Sequence, residues 1–155
     1  MKANGVPNTY SIKKRIKGLN SKWNLKPTPG DTEGVQLGFS DSLQEHIVKL
    51  QQTGEIKGGE TIKIKLSGDG TNIGKRLTVV NFTFTILNEK ELAMGEKGNY
   101  VLALIKTTET YDNIRESLAD LRMEMSNLKK ISVNNCTYQI EYFLGGDWKF
   151  LALVC

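Results

Sequence analysis

The chain has 155 residues, 39% of them apolar and 25% charged, which is the mixture of a globular domain large enough for one core. Apolar runs such as FLALVC at 150–155 are too short to cross a bilayer, and the basic, polar start has no apolar centre of a secretory signal. Two cysteines, Cys136 and Cys155, cannot build a disulfide framework, so the expected setting is a reducing compartment with no membrane partner.

The net charge of +4 is unevenly spread. Residues 1–30 carry Lys2, Lys13, Lys14, Arg15, Lys17, Lys22 and Lys26 and no acid, whereas residues 31–155 sum to −3. Residues 1–38 also hold all three prolines (Pro7, Pro27, Pro29). They read as a basic extended arm and connector, with a helical turn near 12–19 and Trp23 as an anchor to the body. Such an arm suits DNA, with Lys13, Lys14, Arg15 and Lys17 as its contacts; a solvated terminus is the plainer reading.

Residues 39–155 read as the body. A helix is predicted over 40–52, with Leu43, Ile47 and Leu50 on one face, Ser40 or Ser42 as cap, Glu45 completing a capping box and Gly54 as stop. His46, the only histidine, lies beside that stripe, which favours a boundary role over catalysis. Ile62, Ile64 and Leu66 alternate with Lys63 and Lys65, the pattern of a half-buried strand over 61–66. SGDGTNIGK then reads as a loop. A second strand covers 77–87, with Val80, Phe82, Phe84 and Ile86 on one face. NEKELAMGEKGN is a polar connection, and 100–105 is a third, nearly all-apolar strand. Ile114, Leu118, Leu121, Met125 and Leu128 mark a helix over 111–128, capped by Thr110 and ended by Lys129 and Lys130. A fourth strand covers 136–144. Trp148 to the end reads as a helix capped by Asp147, or as a fifth strand.

Three consecutive strands with short connections favour an antiparallel meander, and a helical crossover favours a return to a parallel neighbour. The expected fold is α/β, with a mixed sheet in which the four strands lie in the order 3-2-1-4, the first three antiparallel and the fourth parallel to the first. Asp69 and Asp147, each flanked by glycine, then converge at adjacent strand ends. Converging carboxylates repel unless a cation holds them or one takes a proton. Hard oxygen ligands suit Mg²⁺ or Mn²⁺, and two such ions about 4 Å apart can clamp both sides of a phosphoryl transfer. Asp69 in a GDG turn is the plain alternative.

This order resembles the ribonuclease H-like fold of transposases and integrases, and its details resemble the Transib transposases and the catalytic subunit of the V(D)J recombinase. KIKLSGDGTN resembles that group's first catalytic segment and VVNFTFTIL its second strand. YDNIRESLADLRMEM resembles its intervening helix and YFLGGDW the segment of its second acid. The likeness covers about residues 55–155. It implies DNA strand cleavage and transfer with two Mg²⁺ or Mn²⁺ ions and no small-molecule cofactor, Asp69 and Asp147 acting as catalytic acids and metal ligands. It also implies a nuclear setting and a homo-oligomer in the full-length protein. The group's third acid, a glutamate, comes from a later helix and has no counterpart here. That absence, and an end inside an apolar run, suggest a fragment that is inactive by itself. Among nearby acids, Glu141 stands about 20 Å from Asp147 at strand rise, too far to substitute, while Glu109 and Glu116 stay open.

Two rivals remain. A domesticated, non-catalytic remnant would keep the fold as a DNA-binding or interaction module. GDGT also resembles the phosphate loop of diacylglycerol and NAD kinases, although here it leads into a strand and not into a helix N-terminus.

Overall fold

The computed structural model describes residues 9–73, 77–90, 92–107 and 110–146. Among them the chain forms, in order, α1 (Thr9–Trp23), β1 (Lys26–Pro27), β2 (Glu33–Gln36), α2 (Phe39–Thr53), β3 (Thr61–Ile73), β4 (Leu77–Ile86), β5 (Tyr100–Lys106), α3 (Tyr111–Ser117), α4 (Ala119–Asn127), β6 (Lys130–Val133) and β7 (Cys136–Gly146). Three short 3-10 turns join β4 to β5. The strands make one mixed sheet in the order β1-β2-β5-β4-β3-β7-β6. β3, β4 and β5 pair antiparallel, and β7 runs parallel beside β3. No described helix is long and apolar enough to cross a membrane.

Side-chain alternation explains the layering. Ile62, Ile64 and Leu66 of β3, Val80, Phe82, Phe84 and Ile86 of β4, and Tyr138 and Ile140 of β7 all turn to one side. There they meet Phe39, Leu43, Ile47 and Leu50 of α2 and Ile114, Leu118, Leu121 and Met125 of the α3–α4 segment, in one core. The opposite side is open in part, with Thr83 and Thr85 of β4 buried on it. Val35, Val101 and Leu104 are each 42% exposed there, and Phe143 39%.

Several local expectations are corrected. Residues 12–19 are not an isolated turn, because α1 spans Thr9–Trp23, a stretch without proline, and stops where Asn24 takes a positive φ of 48°. The connector is not extended loop. The chain reverses around Gly30 (φ 85°), Thr28 N donates to Gly34 O, and β1 and β2 join the sheet beside β5. Residues 26–36 therefore belong to the body. β3 does not end at Leu66. It continues to Ile73, paired with β4 along that whole extension and with β7 as far as Gly68.

The helices differ too. α2 is not capped by Ser40 or Ser42. Its N-cap is Gly38, and the Glu124 carboxylate of α4 accepts from Phe39 N (3.0 Å) and Ser40 N (2.7 Å), two of the donors that a helix start leaves free. The single helix over 111–128 is two, broken at Leu118 (φ −98°, ψ 10°), although Thr110 caps its start through Asn113 N as expected. Lys130 does not end a helix. It opens β6, which turns into β7 through Asn134 and Asn135, both at positive φ.

Candidate functional site

Asp69 lies within β3, not in a turn. Neither Gly68 nor Gly70 adopts a positive φ, so this segment is regular strand. Successive strand residues face opposite sides, which puts Asp69 with Lys63, Lys65 and Ser67 on the open face. Its carboxylate is exposed. Directly across the ladder stands Asn81 of β4. The Asn81 side-chain oxygen is buried and has no donor among the described residues. Most buried acceptors are satisfied, so this one marks a spot where a donor or a cation would be welcome.

The β3–β7 register ends at Gly68↔Gly146. Each of the two sequence-chosen acids is the next residue in its strand's direction. Asp147 itself, like the segment 148–155, lies outside the described residues. Gly146 has φ 143°, a region that glycine alone enters readily. Gly145, opposite Ser67, leaves room for Lys65 to lie across it. Of the other acids, Glu141 pairs with Lys63, six residues before Asp69 along β3, and Glu109 is outside the described residues. Among the described residues no group of three or more His, Cys, Asp or Glu side chains converges.

Lys13, Lys14, Arg15 and Lys17 stand apart from Asp69. All four are exposed on α1, as is every described side chain of that helix. α1 enters the sheet at β1, four strands from β3, or about 19 Å at ordinary strand spacing.

The sequence reading missed a second polar cluster. Glu89, in the segment read as a polar connection, is 5% exposed, and Tyr100 Oη donates to both its carboxylate oxygens at 2.7 and 2.8 Å. Burial pushes the Glu89 carboxyl up, against the lowering effect of that hydrogen bond. Burial and then the neighbouring Glu89 push the Tyr100 hydroxyl up. The His46 ring stacks on Tyr100, with centroids 3.7 Å apart, and meets the edge of Phe84 at 5.8 Å. With Trp23, Asp41 and Lys49, His46 and Tyr100 line a cleft of about 640 Å³. The nearly all-apolar run of β5 announced Tyr100, but only the turns before it bring Glu89 beneath.

Burial, helped by Lys49 and opposed by Glu45, lowers His46 from 6.5 to about 4. The unfolded chain therefore takes up a proton near pH 6.5 that the folded chain refuses until about 4. Stability present in full above pH 6.5 should be lost progressively as pH falls to about 4. Glu89, raised in the fold, works in the opposite direction, gaining in support as acid protonates it. Replacing His46 by Phe keeps a ring against Tyr100 and removes the titration, so the drop in urea midpoint between pH 7 and 4 should become shallower than in wild type. Identical pH slopes for the two proteins would contradict this assignment.

Scans for related proteins return no matching family model and no curated protein that matches this chain.

Proposed function

We propose that the chain forms part of a ribonuclease H-like domain of the transposase and recombinase type, which cleaves and transfers DNA strands with divalent cations. One observation carries this reading: Asp69 sits on the open face of a central strand whose parallel pairing with β7 runs out one residue before Asp69 and Asp147. The donor set suits a hard cation. Asp69 offers an exposed carboxylate, Asn81 offers an unpartnered amide oxygen directly across the ladder, and Asp147 is the third oxygen ligand we assign. Oxygen ligands without thiolate or imidazole favour Mg²⁺ or Mn²⁺. When bound, such ions supply an activated attacking oxygen and neutralise the leaving one. The protein's part is to hold the carboxylates in place and to leave the approach open, which the bare backbone at Gly70 and Gly146 does.

Manganese is the direct probe. Mn²⁺ added to the isotope-labelled chain should broaden the backbone signals of residues 67–70, 81 and 145–147 first, and Asp69→Asn should abolish that pattern. Uniform broadening, or an unchanged pattern in Asp69→Asn, would remove the cation site.

A second reading, a non-catalytic DNA-binding module, draws on the exposed basic surface of α1. The kinase-like reading loses its footing, because GDGT lies inside a strand paired along its length with β4. Its extended backbone differs from a glycine-rich loop leading into a helix N-terminus, the arrangement that gathers several N–H groups on one phosphate.

A further inference from the structure

We infer that Lys65 is a phosphate-positioning residue for the nucleic-acid strand that lies against Asp69; the inference rests on the DNA reading above. Lys65 shares the open face with Asp69, four residues earlier in β3. Its own register partner on β7 is Phe143. Yet its methylenes lie across Gly145, two residues further on. A Cβ built on Gly145 would stand 2.9 Å from Lys65 Cδ, 3.0 Å from Cγ and 3.2 Å from Ser67 Oγ. The side chain thus leans along the strand, toward Asp69 and away from Lys63. Glycine at 145 is what permits this, since any other residue would push the chain aside.

The lean is not explained by an ion pair. Among the described residues the ion pairs are Lys49–Glu45 and Lys106–Glu33, and no described carboxylate lies within 4 Å of Lys65. A lysine whose methylenes cross glycine beside half-buried Ser67 and exposed Asp69, with no ion pair among the described residues, is placed to take a phosphate oxygen. Lysine serves this purpose as a compact point charge. Asp69, through its cation, and Lys65 would then grip neighbouring points of one backbone.

The test measures binding of a short labelled DNA duplex to the full chain across a salt series, with and without Ca²⁺, which replaces Mg²⁺ while suppressing cleavage. Lys65→Met should weaken binding roughly eightfold at about 0.1 M salt and reduce the salt slope by about 0.9, the signature of one lost phosphate contact. Lys65→Arg should restore most of the affinity. Gly145→Ala should reproduce the Lys65→Met loss, and the urea midpoint of each variant reports whether it is folded. Should Gly145→Ala fail to fold, Lys65→Met and Lys65→Arg decide alone. Wild-type affinity and slope in Lys65→Met overturn the inference. If Ca²⁺ still strengthens binding there and Asp69→Asn cancels that gain, the cation reading survives without Lys65. If Ca²⁺ has no effect while Lys65→Met still weakens binding, the lysine contact stands and the cation reading falls.

Discussion

Truncating Phe84 to alanine is expected to remove about 3–5 kcal/mol of stability. Phe84 lies in the middle of β4, near the centre of the sheet, and is fully buried. Its ring meets Phe39 edge-on at 5.4 Å, Tyr100 at 5.2 Å and His46 at 5.8 Å. It is the point where α2, β4 and β5 are joined, so its loss leaves a cavity bounded by three elements that cannot all move inward. Against a total of about 5–15 kcal/mol for a domain, that loss is a large share. Phe143, on the open face, is the control, and its change to alanine should cost under about 1 kcal/mol. Urea unfolding of both variants checks the pair. A Phe84→Ala protein within 1 kcal/mol of wild type would mean that the core does not centre on this ring.

Neutralising α1 is expected to have the largest effect on DNA affinity. At about 100° per residue, Lys13, Lys17 and Lys14 fall within one arc of about 100°, and Arg15 points to the far side. Three simultaneous phosphate contacts are therefore the most this helix can make. At about 0.1 M salt each releases counterions worth roughly eightfold, so replacing all four residues by glutamine should weaken binding by about 10²–10³-fold and reduce the salt slope by about 2.7. Glutamine propagates helix nearly as well as lysine, so α1 itself should persist. Substitution is cleaner than deleting residues 1–30, because the deletion would also remove β1 from the sheet. Binding within a few-fold of wild type would assign the DNA contact to another surface.

The parts of the fold legible in the sequence are those whose cause is local. Alternation at Ile62, Ile64 and Leu66, and again at Val80, Phe82, Phe84 and Ile86, announces strands, and the stripe from Ile114 to Met125 announces the crossover. A mixed α/β sheet follows from their order. The illegible parts have distant causes. Residues 67–73 carry no apolar alternation and are strand because β4 pairs with all of them and β7 with the first two. The α2 cap comes from Glu124, more than eighty residues away. β6 did leave a signal, in Ile131 and Val133 alternating before Asn134 and Asn135, a pair suited to a two-residue hairpin turn. The site divides in the same way. An acid between glycines is visible in the sequence, but its place within a strand, the bare oxygen of Asn81 and the lean of Lys65 over Gly145 depend on register.

The shortness of β1 bears on how copies of this chain meet. An exposed sheet edge is a template on which another molecule can add a strand, and a long sheet with one uncovered face is open to that hazard. Here the outermost strand on one side is two residues, Lys26 and Pro27. Proline has no N–H to offer, and the lysine would place its charge in any strand that tried to add. The far edge, β6, is four residues long and begins with exposed Lys130. Fibril-like growth through β1 or β6 therefore meets a short, charged stop, and β7 beyond Ile140, which β6 does not cover, is the longer edge left to a neighbour.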